Sequence, residues 1–334
     1  MQLAGRWLAP LAGLYGGIIG LRNAYYDHVR GSVHVARAPV ISVGNLTVGG
    51  TGKTPLVIEI ARRLLDWGRR PAILTRGYKG ARGQPADEVL EFHEAVPAVP
   101  VVVDPDRLRG AEAAVRAHGA DCLLLDDGFQ HRRLARDLDI VLIDALRPWD
   151  GGRLLPAGRL REPRRGLCRA DLLVITRVNQ VPTARVSEII AELRALKFAG
   201  GIVQAAVQPD GLLRSDGQRF SPDKLRGWRP MTVCGLGQPR SFSQLVADLV
   251  GTDCPGLVYP DHYRYGPADV KVIGVAARRA GAEAVVTTRK DWVKLLPLWP
   301  AELPLLVRLD VRLVLQKGRE SFEERLRKAV EVQR

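Results

Sequence analysis

The sequence predicts an α/β protein: a doubly wound, mostly parallel sheet wrapped by helices, followed by a second, smaller α/β domain. Three observations predict it. Apolar β-rich runs alternate with helical stretches from residue 39 onward. The runs are continuously apolar, as in strands buried on both faces, rather than alternating with polar residues. The same pattern restarts after about residue 198.

In order, "APVISVGN" (38–45) reads as a strand and "KTPLVIEIARRLLDWG" (53–68) as a helix closed by Gly68. "PAILTRGY" (71–78), "VPVVVD" (99–104), "DCLLLDD" (121–127), "DIVLID" (139–144) and "DLLVIT" (171–176) read as further strands, with a helix over 107–119. The second domain reads as strands at "GIVQAAV", "PMTVCGLG", "PGLVYPDHY", "AEAVVTTRKD" and "LPLLVRLDV", with a helix near 267–280. The link between domains is expected near "KFAGG", and the amphipathic helix 318–332 could pack on either one. The expected division is 1–37 as an N-terminal segment, 38–198 as the first domain and 199–334 as the second.

Composition narrows the function. A chain of 334 residues with 46% hydrophobic content buries a sizeable core, and it shows no low-complexity tract or repeat. Cys122, Cys168, Cys234 and Cys254 lie far apart without a C-x-x-C pair, so reduced structural thiols are expected rather than a zinc site or a disulfide framework. The formal charge of +14 calls for anionic company. No zinc finger or RNA-binding aromatic signature is visible, so nucleic acid is not the expected partner. Six arginines fall within 151–169 against the single Glu162, and Arg6, Arg22, Arg30 and Arg37 fall within 1–38 against Asp27.

Between Arg6 and Arg22 runs "WLAPLAGLYGGIIGL", fifteen uncharged residues. A bilayer span needs roughly 20, and Pro10 with several glycines weakens the run further. Charged residues separate it from "ARA" (36–38), which argues against a cleaved signal. An interfacial helix fits best, with Trp7, Leu8, Leu11, Leu14, Tyr15, Ile18, Ile19 and Leu21 in one leaflet and the flanking arginines on lipid phosphates. The competing expectation is a core helix of a soluble domain.

"VGNLTVGGTGKTP" (43–55) supplies the chemistry. It lies between a strand and a helix and ends in Gly52, Lys53 and Thr54, as a P-loop does, although Thr47 stands where the usual pattern has glycine. Gly49, Gly50 and Gly52 can take positive φ, which lets backbone N–H groups line up as an anion nest completed by the helix N-terminus. Thr47, Gly49, Gly50, Thr51, Gly52, Lys53 and Thr54 are therefore the expected nucleotide-binding residues, with Lys53 on the β- and γ-phosphates and the Thr54 hydroxyl on Mg²⁺. A second carboxylate element is needed, and "CLLLDDGFQH" (122–131) ends a strand in Asp126 and Asp127, either of which could hold the metal.

Six stretches occur in the order typical of one family: "VGNLTVGGTGKTP", "RGYKG" (76–80), "DDGFQHRRLARD" (126–137), "LPAGRLREP" (155–163), "PDHYRY" (260–265) and "TRKDWVKL" (288–295). Together they resemble tetraacyldisaccharide 4′-kinase, the lipid A disaccharide kinase, over roughly residues 38 to 295. The resemblance accounts for Thr47, since the family's own loop reads similarly. It implies a P-loop kinase fold and transfer of the ATP γ-phosphoryl group to the 4′-hydroxyl of a tetraacylated glucosamine disaccharide 1-phosphate. It also implies a peripheral, monotopic protein on the cytoplasmic face of the inner membrane, whose substrate is a membrane-embedded anion; no obligate protein partner is evident. On it rest five catalytic expectations. Asp87, in "ADEVLEF", matches the aspartate of the family's "GDEP" element, with Ala86 and Val89 replacing its glycine and proline, and would accept the sugar hydroxyl proton. His262 would partner that aspartate. Lys53, Arg76 and Arg161 would neutralise phosphoryl charge or grip substrate phosphate, with Glu162 holding one of the two arginines. Asp104 and Asp106 are nearby rivals for the base.

Two other functions compete. A regulatory P-loop GTPase or metallochaperone-like NTPase draws on "TTRKD" (287–291), and a nucleic-acid-dependent ATPase draws on charge alone.

Overall fold

The computed structural model of the protein describes residues 7–77 and 87–332. In chain order the elements begin with α1 (Ala9–His28), β1 (Val40–Asn45), α2 (Lys53–Asp66), β2 (Pro71–Thr75), α3 (Asp87–Ala95), β3 (Val101–Val103), α4 (Arg107–His118), β4 (Cys122–Asp126), β5 (Leu138–Asp144) and β6 (Leu172–Thr176). They continue with α5 (Thr183–Ala195), β7 (Gly201–Arg214), β8 (Arg219–Phe220), β9 (Pro230–Cys234), α6 (Pro239–Val250), β10 (Gly256–Val258), α7 (Pro267–Arg279), β11 (Ala284–Thr287), α8 (Arg289–Leu295), β12 (Leu305–Lys317) and α9 (Arg319–Val330).

Two compact units emerge. The first comprises the described parts of Met1–Tyr78 with Phe92–Val207 and Leu313–Arg334; the second comprises the described parts of Lys79–Glu91 with Gln208–Arg312. This differs from a cut at 198/199. Residues 201–204 of β7 pair with β6, so "KFAGG" leads into a strand of the first unit rather than into a linker. At the other end, Phe322, Leu326, Ala329 and Val330 of α9 join Ile41, Leu56 and Ile60 in one core, so that helix closes the first unit.

In the first unit the strands run parallel in the order β6-β5-β1-β4-β2-β3. All six residues of β1 are buried, and Val43 stands beside Asp126 of β4 while Asn45 stands beside Leu142 of β5. The strand order reverses at β1, which puts the segment after it in the crevice where open α/β sheets bind ligands. Gly44 serves that geometry: a Cβ there would meet the backbone nitrogen of Phe129 at 2.6 Å, so only glycine lets the "DDGFQ" turn lie over the end of β1.

In the second unit β10, β9, β11 and β12 form a parallel array around Met231, Val233, Val285, Trp292 and Leu306. The stretch 282–291, expected as one strand, is β11 followed by α8. Thr288 accepts from the amide of Asp291 and so caps a new helix. "PGLVYPDHY" contributes only the three residues of β10, because Pro260 cannot donate to a ladder. All four cysteines are free.

The N-terminal segment forms α1, and no described helix is long and apolar enough to cross a membrane.

Candidate active site

The loop after β1 is built for an anion. Gly52 caps α2 at φ +94° and Gly49 sits at φ +123°, both in the left-handed region. A Cβ on Gly49 would lie 2.5 Å from Nη2 of Arg159. Gly50, which could also take positive φ, does not adopt it. Outside donors take the loop's carbonyls: Asn45 Nδ2 donates to Thr47 O (2.6 Å), Arg159 Nη2 to Val48 O (2.6 Å), Arg177 Nη2 to Gly50 O (3.1 Å) and Thr176 Oγ1 to Thr51 O (2.9 Å). The carbonyls thus turn away from the site, and the orphan amides of the first turn of α2 supply its positive edge. Thr47 and Thr51 are buried and Thr54 is half-buried at the second position of α2.

Lys53 opens α2, and its Nζ lies 3.1 Å from Asn45 Oδ1 and 3.4 Å from Asp127 Oδ1. Arg161 Nη1 donates to the other oxygen of Asp127 at 2.7 Å and to Gln130 Oε1 at 3.2 Å. Asp127 follows β4 in the left-handed region, φ +52°, which swings its carboxylate out of the strand direction. Burial pushes its carboxyl up, but Lys53 and Arg161 outweigh that and hold it at about 2. Asp126, buried at the end of β4, is its neighbour. Arg76 is exposed after β2 and stands outside this hydrogen-bonded cluster among the described residues; Tyr78–Gly80 of its motif and Ala86 lie outside the described residues. Glu162 does not hold Arg76 or Arg161. It is buried and accepts from Arg169 (2.8 Å), Gln130 (3.1 Å) and Asn23 of α1 (3.3 Å).

The second unit carries a separate cluster. Asp87 starts α3, and its Oδ2 lies 3.4 Å from His262 Nδ1 and 2.9 Å from Lys294 Nζ. His262 sits at φ +64°, a conformation that costs a non-glycine residue about 1 kcal/mol and recurs at functional positions. Its Nε2 is 3.9 Å from Asp261, which also pairs with Lys290. Burial raises the Asp87 carboxyl; His262, Lys294 and Lys290 together bring it down to about 2. The rival carboxylates have structural tasks. Asp104 pairs with Arg109 (2.6 Å), and Asp106 caps α4 by accepting from the amides of Leu108 and Arg109.

Sequence reasoning missed Asn45, Gln130, Arg159, Lys290 and Lys294. The two lysines had a signal, being four apart on a short helix in a stretch already singled out. Gln130 and Arg159 lie within the same quoted motifs, but nothing in a linear pattern says which neighbours converge.

The Thr54 hydroxyl at the start of α2 and the Asp126 and Asp127 carboxylates at the end of β4 are hard oxygen donors, the chemistry that suits a cation taking most of its ligands from phosphate and water. A dedicated cage is not built: no group of three or more His, Cys, Asp or Glu is poised for a metal among the described residues.

The family model for tetraacyldisaccharide-1-P 4′-kinase, LpxK, matches residues 4–331. The chain belongs to the tetraacyldisaccharide-1-P 4′-kinase family. A tetraacyldisaccharide 4′-kinase from Syntrophus aciditrophicus is 40% identical over 330 residues, covering 91% of this chain and 87% of its own. One from Anaeromyxobacter sp. strain Fw109-5 is 41% identical over 335 residues, covering 92% and 88%. The structure resembles that of LpxK from Aquifex aeolicus, described as an "apo" form in complex with ATP, with a TM-score of 0.74 at 30% identity over 98% of this chain and 99% of that one. As a member of the LpxK family the chain is a kinase of lipid A biosynthesis with a P-loop fold. The regulatory GTPase reading is not favoured.

Proposed function

We propose that in the kinase reaction the loop 47–54 and Lys53 hold the triphosphate of ATP, and that Asp87 accepts the proton of the sugar 4′-hydroxyl. The acceptor is a tetraacylated glucosamine disaccharide 1-phosphate. The observation that carries this reading is the pairing of Lys53 and Arg161 on one carboxylate, Asp127, after β4. That carboxylate holds two cations side by side at the loop, where preorganised positive charge can neutralise a phosphoryl group. Thr54 and Asp126 are the proposed Mg²⁺ residues, because Asp127 is committed to Lys53 and Arg161. When bound, the ion neutralises charge on the β- and γ-phosphates.

Asp87 suits a loose phosphoryl-transfer transition state. There the hydroxyl proton leaves late, so an ionised, well-placed acceptor matters more than a strong base. His262 is proposed to orient that carboxylate, and Arg76 to meet substrate phosphate.

α1 supports placement on a membrane. Leu11, Leu14, Ile18, Leu21 and Tyr25 of α1 are all exposed, and their alternating spacing of three and four puts them on one helical face; Trp7, just before the helix, is exposed too. Tyr15, expected in the lipid-facing set, instead turns inward and donates to Arg161 O. We place the protein as a monotopic enzyme on the cytoplasmic face of the inner membrane, with the apolar stripe among acyl chains and the arginine-rich surface on anionic headgroups.

The test is radiolabelled ATP with the purified protein and the disaccharide 1-phosphate in mixed micelles. Label should reach the lipid with wild type and not with Lys53→Ala. Equal labelling by both would remove the loop from the mechanism.

A further inference from the structure

Asp87 Oδ2 has two partners, and they are not equivalent. His262 Nδ1 stands at 3.4 Å, a loose contact; Lys294 Nζ stands at 2.9 Å, a charge-assisted hydrogen bond. Lys294 is itself immobilised. Its ammonium donates to the carbonyl of Tyr263 at 3.1 Å, lies 3.8 Å from Asp291 Oδ1 and sits 6.0 Å above the Tyr265 ring. Asp291 is fully buried, and its Oδ2 accepts from the Gly235 amide and the Thr288 hydroxyl, both at 2.8 Å. A chain of contacts thus runs from the backbone of the second unit through Asp291 and Lys294 to one oxygen of Asp87. A lysine that only solvated the surface would be free to swing; this one is 14% exposed.

We infer that Lys294 is a second positioning residue for Asp87 beside His262, anchoring Oδ2 so that Oδ1 is presented to the acceptor hydroxyl. This rests on the reading of Asp87 as the proton acceptor. The charged groups that act on Asp87 are His262 before α7 and Lys294 and Lys290 on α8; Asp261 pairs with Lys290 and His262, Asp291 lies against Lys294, and Glu88 and Glu91 share the helix of Asp87. Burial pushes the Asp87 carboxyl up, and the surrounding cations pull it below its ordinary range. Removing Lys294 leaves the upward push opposed only by His262 and Lys290. Asp87 then takes up its proton at higher pH, and the acceptor is lost sooner on acidification.

The experiment is the pH dependence of kcat/KM for the lipid acceptor in wild type, Lys294→Met, Lys294→Gln, Lys294→Arg and Asp87→Asn, with Tm measured for each. In Lys294→Met and Lys294→Gln the acid limb should move up by about one to two pH units, the shift expected on losing one close opposite charge. The KM for ATP should hold, and Lys294→Arg should restore the limb. If Asp87→Asn is inactive while the acid limb of both neutral variants stays in place, the role of Lys294 is refuted and Asp87 stands as the acceptor. A lowered Tm with an unmoved limb refutes that role equally, since it marks Lys294 as structural only. Near-wild-type kcat in Asp87→Asn overturns both readings together.

Discussion

The hydroxyl of Tyr15, on α1, donates to the main-chain carbonyl of Arg161 at 2.8 Å, while the Arg161 side chain donates to Asp127 at 2.7 Å. The helix with the exposed apolar stripe therefore steadies an arginine that shares a carboxylate with Lys53. Tyr15→Phe removes one hydrogen bond, worth about 1 kcal/mol, and should lower kcat roughly fivefold with little change in ATP affinity. Steady-state kinetics at saturating ATP read this directly; an unchanged kcat would mean the Arg161 backbone is held well enough without the helix.

Lys53→Ala should reduce kcat by roughly 100-fold or more, the scale on which enzymes lose rate when one preorganised charge partner of the transition state goes. The variant also leaves Asp127 with Arg161 alone. Its Tm should stay close to that of wild type, since a partly exposed ion pair contributes little to folding. A large Tm loss would show instead that Lys53 is a structural member of the cluster.

Asp127 has a folded-state pKa of about 2, below its ordinary value, because Lys53 and Arg161 override burial. The sign follows from linkage. A depressed carboxyl contributes stability above its unfolded pKa and loses that contribution as pH falls through the folded value. The Tm difference between wild type and Asp127→Asn should be constant near neutrality and should shrink between about pH 4 and pH 2. A difference that grows on acidification contradicts the ion-pair assignment.

Leu14→Ser with Ile18→Ser tests the apolar stripe without touching Tyr15, Arg22 or Asn23, which face the protein. Arg22 bonds to the carbonyl of Gln130, so deleting the whole segment would damage the site as well as the stripe. Each exposed aliphatic side chain is worth about 1.5–3 kcal/mol on full transfer from water, so partitioning onto anionic vesicles should fall at least roughly tenfold. Nucleotide affinity should not move. Undiminished vesicle binding would assign the stripe to another partner.

The first-unit strands were legible because buried parallel strands are written as unbroken apolar runs, and β1, β4, β5 and β6 are buried at every position. The Gly-rich loop between β1 and α2 was legible because its residues are contiguous. What could not be read is convergence. Glu162 was expected to hold Arg161, yet Arg169, Gln130 and Asn23 reach it first, and such competition depends on distances across 7, 32 and 139 residues of sequence. Asp87 and Lys294 are also far apart in the chain, so the motif that contains the lysine gave no hint of its partner.

Phe322→Ala probes how the first unit is closed. Phe322 is fully buried in the core that holds Ile41 and Leu56, and truncating it should cost about 3–5 kcal/mol. Differential scanning calorimetry should show the loss, and a variant as stable as wild type would deny that α9 belongs to that core.

Residues 208–312 are thus an insertion in the sequence of the first unit, which resumes at Leu313. During synthesis, the sheet that carries the phosphate loop must wait with its apolar underside bare until residues 319–330 have left the ribosome. A messenger cut short between β7 and α9 yields a chain with an intact nucleotide motif and an open core, a substrate for proteases rather than a slower kinase.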